Sequence, residues 1–219
     1  GVSPESFVGC WFRGAAKSSL LQLALAITAC VGLRSYAFYV GDTQDAVGDK
    51  IRFVGDLLRA PRIAAAFPLV ASPYIDPGTG MATDWRAGRI RTASRFTLDG
   101  LGMDQAIRGR KVGEDRPDFI VIDDIESSTD TPYMTKKKEG ILTRVIIPAG
   151  SRGDRAIVFI QNMIHPQSIM ASMVKRKATF MTRRRMSGPV PQIRGLAYEV
   201  ESTPTGPQFV ITGGEPTWP

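Results

Sequence analysis

A turn of small residues near the beginning of the chain contains the residue types that bind phosphate. It reads Arg13-Gly14-Ala15-Ala16-Lys17-Ser18-Ser19 and lies between apolar stretches at 8–12 and 20–33. In a phosphate-binding loop, backbone N–H groups surround the β-phosphate, a lysine reaches the β- and γ-oxygens, and a hydroxyl binds Mg²⁺. The sequence departs from the standard pattern, because Ala16 and Trp11 stand where glycine is usual. The alternative is an ordinary strand-to-helix turn with a solvated lysine.

A second group of candidate residues is acidic and follows a continuous apolar run. Residues 119–122 are followed by Asp123, Asp124 and, after one isoleucine, Glu126. Such a run suits a strand buried on both faces of a parallel sheet, and ligands bind at the carboxyl ends of these strands. Asp123 would hold Mg²⁺ directly or through water, and the next acid would orient an attacking water. The alternative is a strand that ends in a solvated acidic turn.

A polar pair ends a third apolar run, at 156–160. The pair is Gln161 and Asn162, and in a nucleotide hydrolase a polar residue at the tip of the strand beside the phosphate loop can sense the γ-phosphate. The alternative is an amide that only caps the strand. The single histidine, His165, is interpreted as a structural or surface residue.

The hydrophobic pattern also predicts the elements that position these residues. The first half of the chain gives a βαβα order with parallel strands, then an excursion rich in proline and glycine, then a hairpin that turns at Asp99-Gly100. The second half gives two buried strands, each followed by a helix, and a terminal hairpin around Gly206. Lys136-Lys137-Lys138 is expected on the exposed side of the first of these helices. The fold class is therefore α/β. The predicted strands are 8–12, 35–40, 118–122 and 156–160, and the predicted helices are 20–32, 44–58, 131–144 and 166–175.

Composition excludes several classes of protein. A chain of 219 residues with 43% hydrophobic residues can bury a core, which excludes a disulfide-stapled miniprotein and wholesale disorder. One histidine excludes a multi-histidine metal centre, and the longest apolar run, 20–33, is too short to span a bilayer. The net charge of +7 is unevenly placed, because no acid lies at 156–197 while lysines and arginines concentrate at 175–194. That basic stretch could bind a DNA backbone; the alternative is a solvated helix face and loop.

Three segments together resemble the ATPase domain of tailed-phage terminase large subunits, the DNA-packaging motors. They are 13–18, 102–110 and 116–126, and the middle segment is the most specific. Asn162, with His165 beyond it, falls where that family places its coupling motif. The resemblance extends over 8–173. It implies a P-loop NTPase fold of the ASCE type: a mainly parallel central sheet flanked by helices, with an extra strand between the loop-bearing and acid-bearing strands, and an added β-hairpin.

The resemblance implies a role for each candidate residue. Lys17 and Ser18 would bind phosphate and Mg²⁺ within a nucleotide-binding loop completed by Arg13, Gly14, Ala15, Ala16 and Ser19. Asp123 would bind Mg²⁺. The family's water-activating residue is usually a glutamate directly after that aspartate. Asp124 stands there in this sequence and Glu126 lies two residues on, so both are candidates.

The same resemblance implies an arginine finger donated by a neighbouring subunit of a ring. A cation supplied in this way offsets the charge that develops on the γ-phosphoryl group. Arg108 and Arg110 are the candidates, with Arg108 preferred. The alternative is that they pair with nearby acids of the same chain, namely Asp104, Glu114 or Asp115.

The expected function is Mg²⁺-dependent ATP hydrolysis that drives double-stranded DNA into a viral procapsid. The expected partners are DNA, the portal protein, the terminase small subunit and other copies of the chain in a ring, with a monomer in isolation and no membrane. The expected location is the host cytoplasm, with transient attachment to the procapsid and absence from the mature virion. An ATPase core at 1–175 would precede a basic segment, a hairpin and the start of a linker at 176–219, without the nuclease domain of the family.

Two other functions fit the same residues. One is a helicase-like translocase that acts on nucleic acid without a capsid. The other is a non-catalytic, basic DNA-binding module with a degenerate phosphate loop.

Overall fold

An eight-stranded sheet forms the centre of the computed structural model, which describes residues 6–103, 115–151, 155–181, 184–190, 193–203 and 206–216. The spatial order of its strands is β10-β1-β9-β8-β2-β7-β6-β5. These strands are β1 (Ser6–Trp11), β2 (Tyr36–Gly41), β5 (Trp85–Arg86), β6 (Arg89–Arg91), β7 (Thr97–Gly102), β8 (Phe119–Asp123), β9 (Ala156–Gln161) and β10 (Arg184–Val190). Two further short strands, β3 (Tyr74–Ile75) and β4 (Ala82–Thr83), pair with each other in the segment that precedes β5.

The pairing of the strands confirms the predicted fold class. All pairs from β10 to β7 are parallel, whereas β6 and β5 extend the sheet as an antiparallel hairpin. Strand β9 lies between β1, which leads into the Lys17 loop, and β8, which ends at Asp123. This extra strand is the arrangement expected of a P-loop NTPase fold of the ASCE type.

Helices cover both faces of the sheet. They are α1 (Lys17–Val31), α2 (Gln44–Leu58), α3 (Pro61–Ala66), α4 (Pro68–Ala71), α5 (Pro132–Ile141), α6 (Ile147–Ala149) and α7 (Ile169–Val174), and a π-helical turn at Leu142–Ile146 joins α5 to α6. The alternating side chains of β2 divide between two cores. Phe38 belongs to the core shared with the π-helical turn and α7, and Tyr39 belongs to the core shared with α1 and α2.

Helix α1 is buried on one side only. Leu21 and Leu25 are buried, but Leu20, Leu23 and Ile27 on its other side are about half exposed. One side of α1 therefore packs in the core, and its other side is partly exposed although it is also apolar. Within the described residues, no helix combines the length and the hydropathy that crossing a membrane requires.

The turn predicted at Asp99-Gly100 is wrong. Both residues lie inside β7, which pairs in parallel with β2, and the hairpin between β6 and β7 turns instead at 92–96. The buried carboxylate of Asp99 accepts a hydrogen bond from the Tyr36 hydroxyl at 2.6 Å. A Cβ on Gly100 would stand 2.6 Å from a methyl carbon of Val47. Tertiary contacts therefore override the local turn signal.

The placement predicted for Lys138 is also wrong, although Lys136 and Lys137 are exposed. Lys138 is buried and its ammonium group lies 2.7 Å from carboxylate oxygens of both Asp42 and Asp130. These hydrogen bonds and charges outweigh the effect of burial and raise the pKa of Lys138. The contact ties α5 to the segment that follows β2 and to the loop that follows β8.

The last part of the chain contributes a strand to the sheet and a separate ribbon. Strand β10 pairs in parallel with β1, and the indole N–H of Trp11 donates to the Ser187 hydroxyl at 3.0 Å. The predicted terminal hairpin is confirmed as β11 (Ile193–Thr203) paired with β12 (Gly206–Pro216). The domain boundary at residue 175 stays a prediction.

Candidate nucleotide-binding site

The loop between β1 and α1 contains two residues with left-handed backbone conformation. Gly14 has φ +89° and Ala16 has φ +52°, both in the left-handed region. Glycine adopts this region freely, whereas alanine is disfavoured there by about 1 kcal/mol. The carbonyl of Ala16 accepts the first hydrogen bond of α1, from the N–H of Leu20 at 3.0 Å. The backbone of Ala16 is therefore strained at the position that precedes the first residue of α1.

Lys17 is the first residue of α1 and directly follows the turn. Its side chain is buried and its ammonium group donates to the carbonyl of Phe12 at 3.0 Å. Phe12 is the first residue after β1, so the lysine folds back across the turn that contains Gly14 and Ala16. A cation held by one backbone carbonyl can transfer to a stronger acceptor such as a phosphate oxygen.

Asp123, the last residue of β8, is fully buried and has two donors on one oxygen. Its Oδ2 accepts from the Tyr39 hydroxyl at 2.5 Å and from the Lys50 ammonium at 2.6 Å. Ser18 also lies beside the Tyr39 hydroxyl. Tyr39 therefore stands between the loop serine and the strand aspartate. Burial, and then the charge of Asp123, raises the pKa of Tyr39, so that Tyr39 stays a neutral donor.

Asp124 lies near cations from the loop and from α2. Burial, followed by the charge of Asp123, raises the pKa of its carboxyl, and Lys17, Lys50 and Arg13 act in the opposite direction. Its backbone is left-handed, with φ +44°, so the chain leaves the extended conformation of β8 at this residue. Its Oδ1 is buried without a hydrogen-bond partner in the described part of the chain.

Glu126 is engaged elsewhere. Its carboxylate accepts from the Gln161 amide at 2.7 Å and from the N–H of Ile169 at 2.9 Å, and a longer contact of 3.4 Å runs from the N–H of Met170. Gln161 in turn accepts from the N–H of Ile125 and of Glu126 itself. Glu126 therefore fastens the loop after β8 to the end of β9 and the start of α7.

The remaining candidate residues are placed as follows. Asn162 comes directly after β9 and is half-buried, at the same edge of the sheet as Lys17 and Asp123. Arg108 and Arg110 lie outside the described residues. The structure thus brings together the loop residues, Asp123 and Asp124, while their roles stay predictions.

Tyr39 and Lys50 were missed by the sequence reasoning. Tyr39 is a polar-tipped residue within an otherwise apolar strand, and its hydroxyl needs a buried partner. Lys50 interrupts the buried stripe of α2 formed by Val47, Ile51 and Val54. These two features indicate that Tyr39 and Lys50 have buried polar partners, but neither feature identifies Asp123 as that partner.

The two aspartates of the site have the chemistry that Mg²⁺ requires. Oδ1 of Asp123 and Oδ1 of Asp124 are both buried without a hydrogen-bond partner among the described residues. Buried carboxylate oxygens need a donor or a cation, and Mg²⁺ is bound in such sites by one or two carboxylates with waters and substrate phosphates. Ser18 and Asp123 are the side chains that would hold the metal.

No protein-family model matches the chain, and no curated protein matches it. Two solved structures of the large terminase ATPase domain of Thermus phage P74-26, one of them a mutant, are similar to it. The mutant is 17% identical with a TM-score of 0.46, and the other is 13% identical with a TM-score of 0.45. Each comparison covers 72% of this chain and 60% of the solved one, so the chain spans 60% of the length of the structures it matches.

Proposed function

We propose that this chain is a Mg²⁺-dependent ATPase that powers the packaging of double-stranded DNA into a viral procapsid. The observation that carries the ATPase proposal is the meeting of the Lys17 loop with Asp123 and Asp124. These groups come from β1 and β8, which flank β9 at one edge of a parallel sheet. Ligands bind at this edge in open α/β folds.

The residues divide the work of hydrolysis between binding and proton transfer. Lys17, the loop N–H groups and Arg13 bind the phosphates, and Ser18 and Asp123 hold the metal. Mg²⁺ supplies neutralisation of phosphate charge when it is bound.

Asp124 accepts a proton from the attacking water. The water oxygen then bonds to the γ-phosphorus, and the bond from that phosphorus to the β–γ bridging oxygen breaks, which gives ADP and phosphate. Asp124 is preferred to Glu126 for this step because Glu126 already accepts from Gln161 and from the N–H groups of α7.

The packaging part of the proposal draws on the resemblance of the sequence motifs. A ring of copies, attached through a portal protein and supplied with DNA by a small subunit, would complete the site with Arg108 or Arg110 from a neighbour. Asn162 would pass the loss of the γ-phosphate to the rest of the chain. The exposed basic residues of the 175–194 stretch, such as Arg176 and Lys177, are the candidate contacts to the DNA backbone.

Turnover of ATP tests the enzyme proposal. Phosphate release is measured with and without Mg²⁺ for the wild type, for Lys17→Ala and for Lys136→Ala, which removes an equal charge from an exposed position of α5. We expect Mg²⁺-dependent turnover that is lost only in Lys17→Ala. Equal rates in all three proteins would favour the non-catalytic DNA-binding module.

A mixing experiment tests the finger. Arg108→Ala and Lys17→Ala proteins are each inactive in the proposal, but a mixed ring contains some sites with an intact loop and an intact finger. We expect partial recovery of activity in the mixture under conditions that assemble the ring. The absence of recovery would count against Arg108 acting between subunits.

A further inference from the structure

Both hydrogen bonds to the Asp123 carboxylate fall on the same oxygen. Oδ2 accepts from Tyr39 at 2.5 Å and from Lys50 at 2.6 Å, while Oδ1 has no hydrogen-bond partner in the described part of the chain. The two donors differ in kind, since the Tyr39 hydroxyl is neutral and the Lys50 ammonium carries a full charge. Lys50 is therefore the cation that pairs with Asp123 among the described residues.

The two members of this ion pair differ in their access to solvent. The Asp123 side chain is fully buried, whereas 22% of the Lys50 side chain is exposed. A lysine can keep its hydrocarbon stem on the protein while its charged end moves into water. Lys50 can therefore leave the pair when another cation takes its place. Asp123 stays buried in either case, and it needs a cation because a buried carboxylate without one is strongly destabilised.

A metal ion and the Lys50 ammonium would be close neighbours on this carboxylate. Mg²⁺ held through Oδ1 would lie within a few ångströms of a cation held on Oδ2, because the two oxygens share one carbon. Like charges at such a separation in a partly buried site repel strongly. Binding of the metal and retention of the Lys50 contact are therefore opposed.

We propose that Lys50 competes with Mg²⁺ for Asp123: it neutralises the carboxylate in the metal-free protein and is displaced when the metal binds with nucleotide. This deepens the proposed function and rests on it for the nucleotide. Lys50 acts through Asp123 and is a positioning residue that sets how much Mg²⁺ the site requires.

The first test uses Mg²⁺ alone and needs no nucleotide. Thermal unfolding is followed over a series of Mg²⁺ concentrations for the wild type, Lys50→Met, the exposed control Lys136→Met, and the double variant Lys50→Met/Asp123→Asn. We expect Lys50→Met to melt below the wild type without Mg²⁺ and to gain about 3 °C or more when Mg²⁺ is added. The other three proteins should respond much less. A response of Lys50→Met no larger than that of the wild type overturns the proposal, as does an equal response of the double variant.

The second test measures the Mg²⁺ concentration that gives half-maximal binding of a fluorescent ATP analogue. In Lys50→Met this concentration should fall on the order of tenfold, because a unit charge next to the metal is removed. Lys50→Arg should keep the wild-type value. Structural damage would raise the Mg²⁺ requirement, so an unchanged or raised value in Lys50→Met overturns the proposal. If the wild type binds no nucleotide, the proposed function fails, and the melting response to Mg²⁺ still decides the role of Lys50.

A third test does not depend on any variant folding. A crystal structure of the wild type with Mg²⁺ and ADP should show the Lys50 ammonium away from Asp123 and the metal on its carboxylate. A structure with the metal bound and the Lys50 contact intact overturns the proposal.

Discussion

We expect Asp124, and not Glu126, to activate water. This assignment predicts how a substitution of each residue changes both the rate of turnover and the stability of the protein. Asp124→Asn removes a proton acceptor, and loss of a general base lowers the rate by about 10²–10⁴-fold. The same change should leave the melting temperature unchanged or higher. Burial and the neighbouring Asp123 raise the pKa of Asp124, which means that its charged form is disfavoured in the folded protein, and a neutral asparagine removes that penalty.

Glu126→Gln should have the opposite profile. The Glu126 carboxylate is 4% exposed and accepts from Gln161 and from the N–H groups of Ile169 and Met170. A glutamine turns an NH₂ group toward some of these donors. Hydrogen bonds to charged groups contribute about 1.5–3 kcal/mol each, so we expect a loss of about 3 kcal/mol. In a domain of this size that corresponds to a melting temperature lower by roughly 6–12 °C. Turnover per folded molecule should stay within about tenfold of the wild type, since a residue that does not transfer the proton lacks the contribution of a general base.

The assay combines steady-state phosphate release with melting followed by circular dichroism, at a temperature where every variant is folded. Asp49→Asn is the control, because Asp49 is 75% exposed and pairs only with Arg52 among the contacts described. Binding of a fluorescent ATP analogue should be retained in Asp124→Asn, which separates loss of chemistry from loss of the site. If Asp124→Asn stays active while folded Glu126→Gln is inactive, the assignment of Asp124 is refuted.

Three further predictions concern the supports of the site. Lys138→Met should lower the free energy of unfolding by about 3 kcal/mol at neutral pH, because Asp130 is left buried without its cation. Since the folded-state pKa of Lys138 is raised, the stabilisation is present at neutral pH, below the ordinary lysine pKa of about 10.4, and is lost as pH rises through the folded value; urea titrations from neutral to alkaline pH should show this difference shrinking. Ala16→Gly should stabilise the protein by about 0.5–1 kcal/mol and keep ATP turnover, since glycine relieves the left-handed strain; a lower melting temperature would contradict that reading. Gly100→Ala should destabilise by about 1–3 kcal/mol through its contacts with Val47 and Ile51, and in calorimetry Gly100→Ala/Val47→Ala should lose less stability than the sum of the two single changes, whereas a residue in an open turn would show simple additivity.

Local sequence patterns were sufficient to predict the main elements and the two halves of the site. The apolar run before Asp123 and the small residues before Lys17 each identify a strand end, and parallel strands present their ends at one edge of a sheet. The position of β9 between these strands followed from the resemblance of the motifs and is confirmed by the sheet order. Each of these local patterns extends over only a few consecutive residues, so it can be recognised without knowledge of the fold.

The features that could not be predicted depend on contacts between distant segments. Lys50 and Asp123 are separated by 73 positions in the chain, and their meeting requires β2 and β8 to be neighbours with α2 packed above them. The same holds for Asp99, whose Tyr36 partner is 63 positions away and whose strand pairing overrides a strong turn signal. Lys138 lies in a run of three lysines, and only the positions of Asp42 and Asp130 distinguish it from the other two. Charge and turn propensity are properties of a residue and its sequence neighbours. The partners of Asp123, Asp99 and Lys138 are set instead by how distant segments pack together.

The pairing of β1 sets the order in which the site can form. The strand that leads into the Lys17 loop is the first that the structure describes, and its two neighbours in the sheet come from much later in the sequence: β9 begins at Ala156 and β10 at Arg184. Until these segments have been synthesised, β1 has no partner on either side and is an exposed apolar strand edge. Pairings of such long sequence separation form late and slow the folding of a domain. The candidate site is therefore expected to be among the last regions to form, and a nascent chain that stops before β10 leaves the Lys17 loop on an unprotected edge of the sheet.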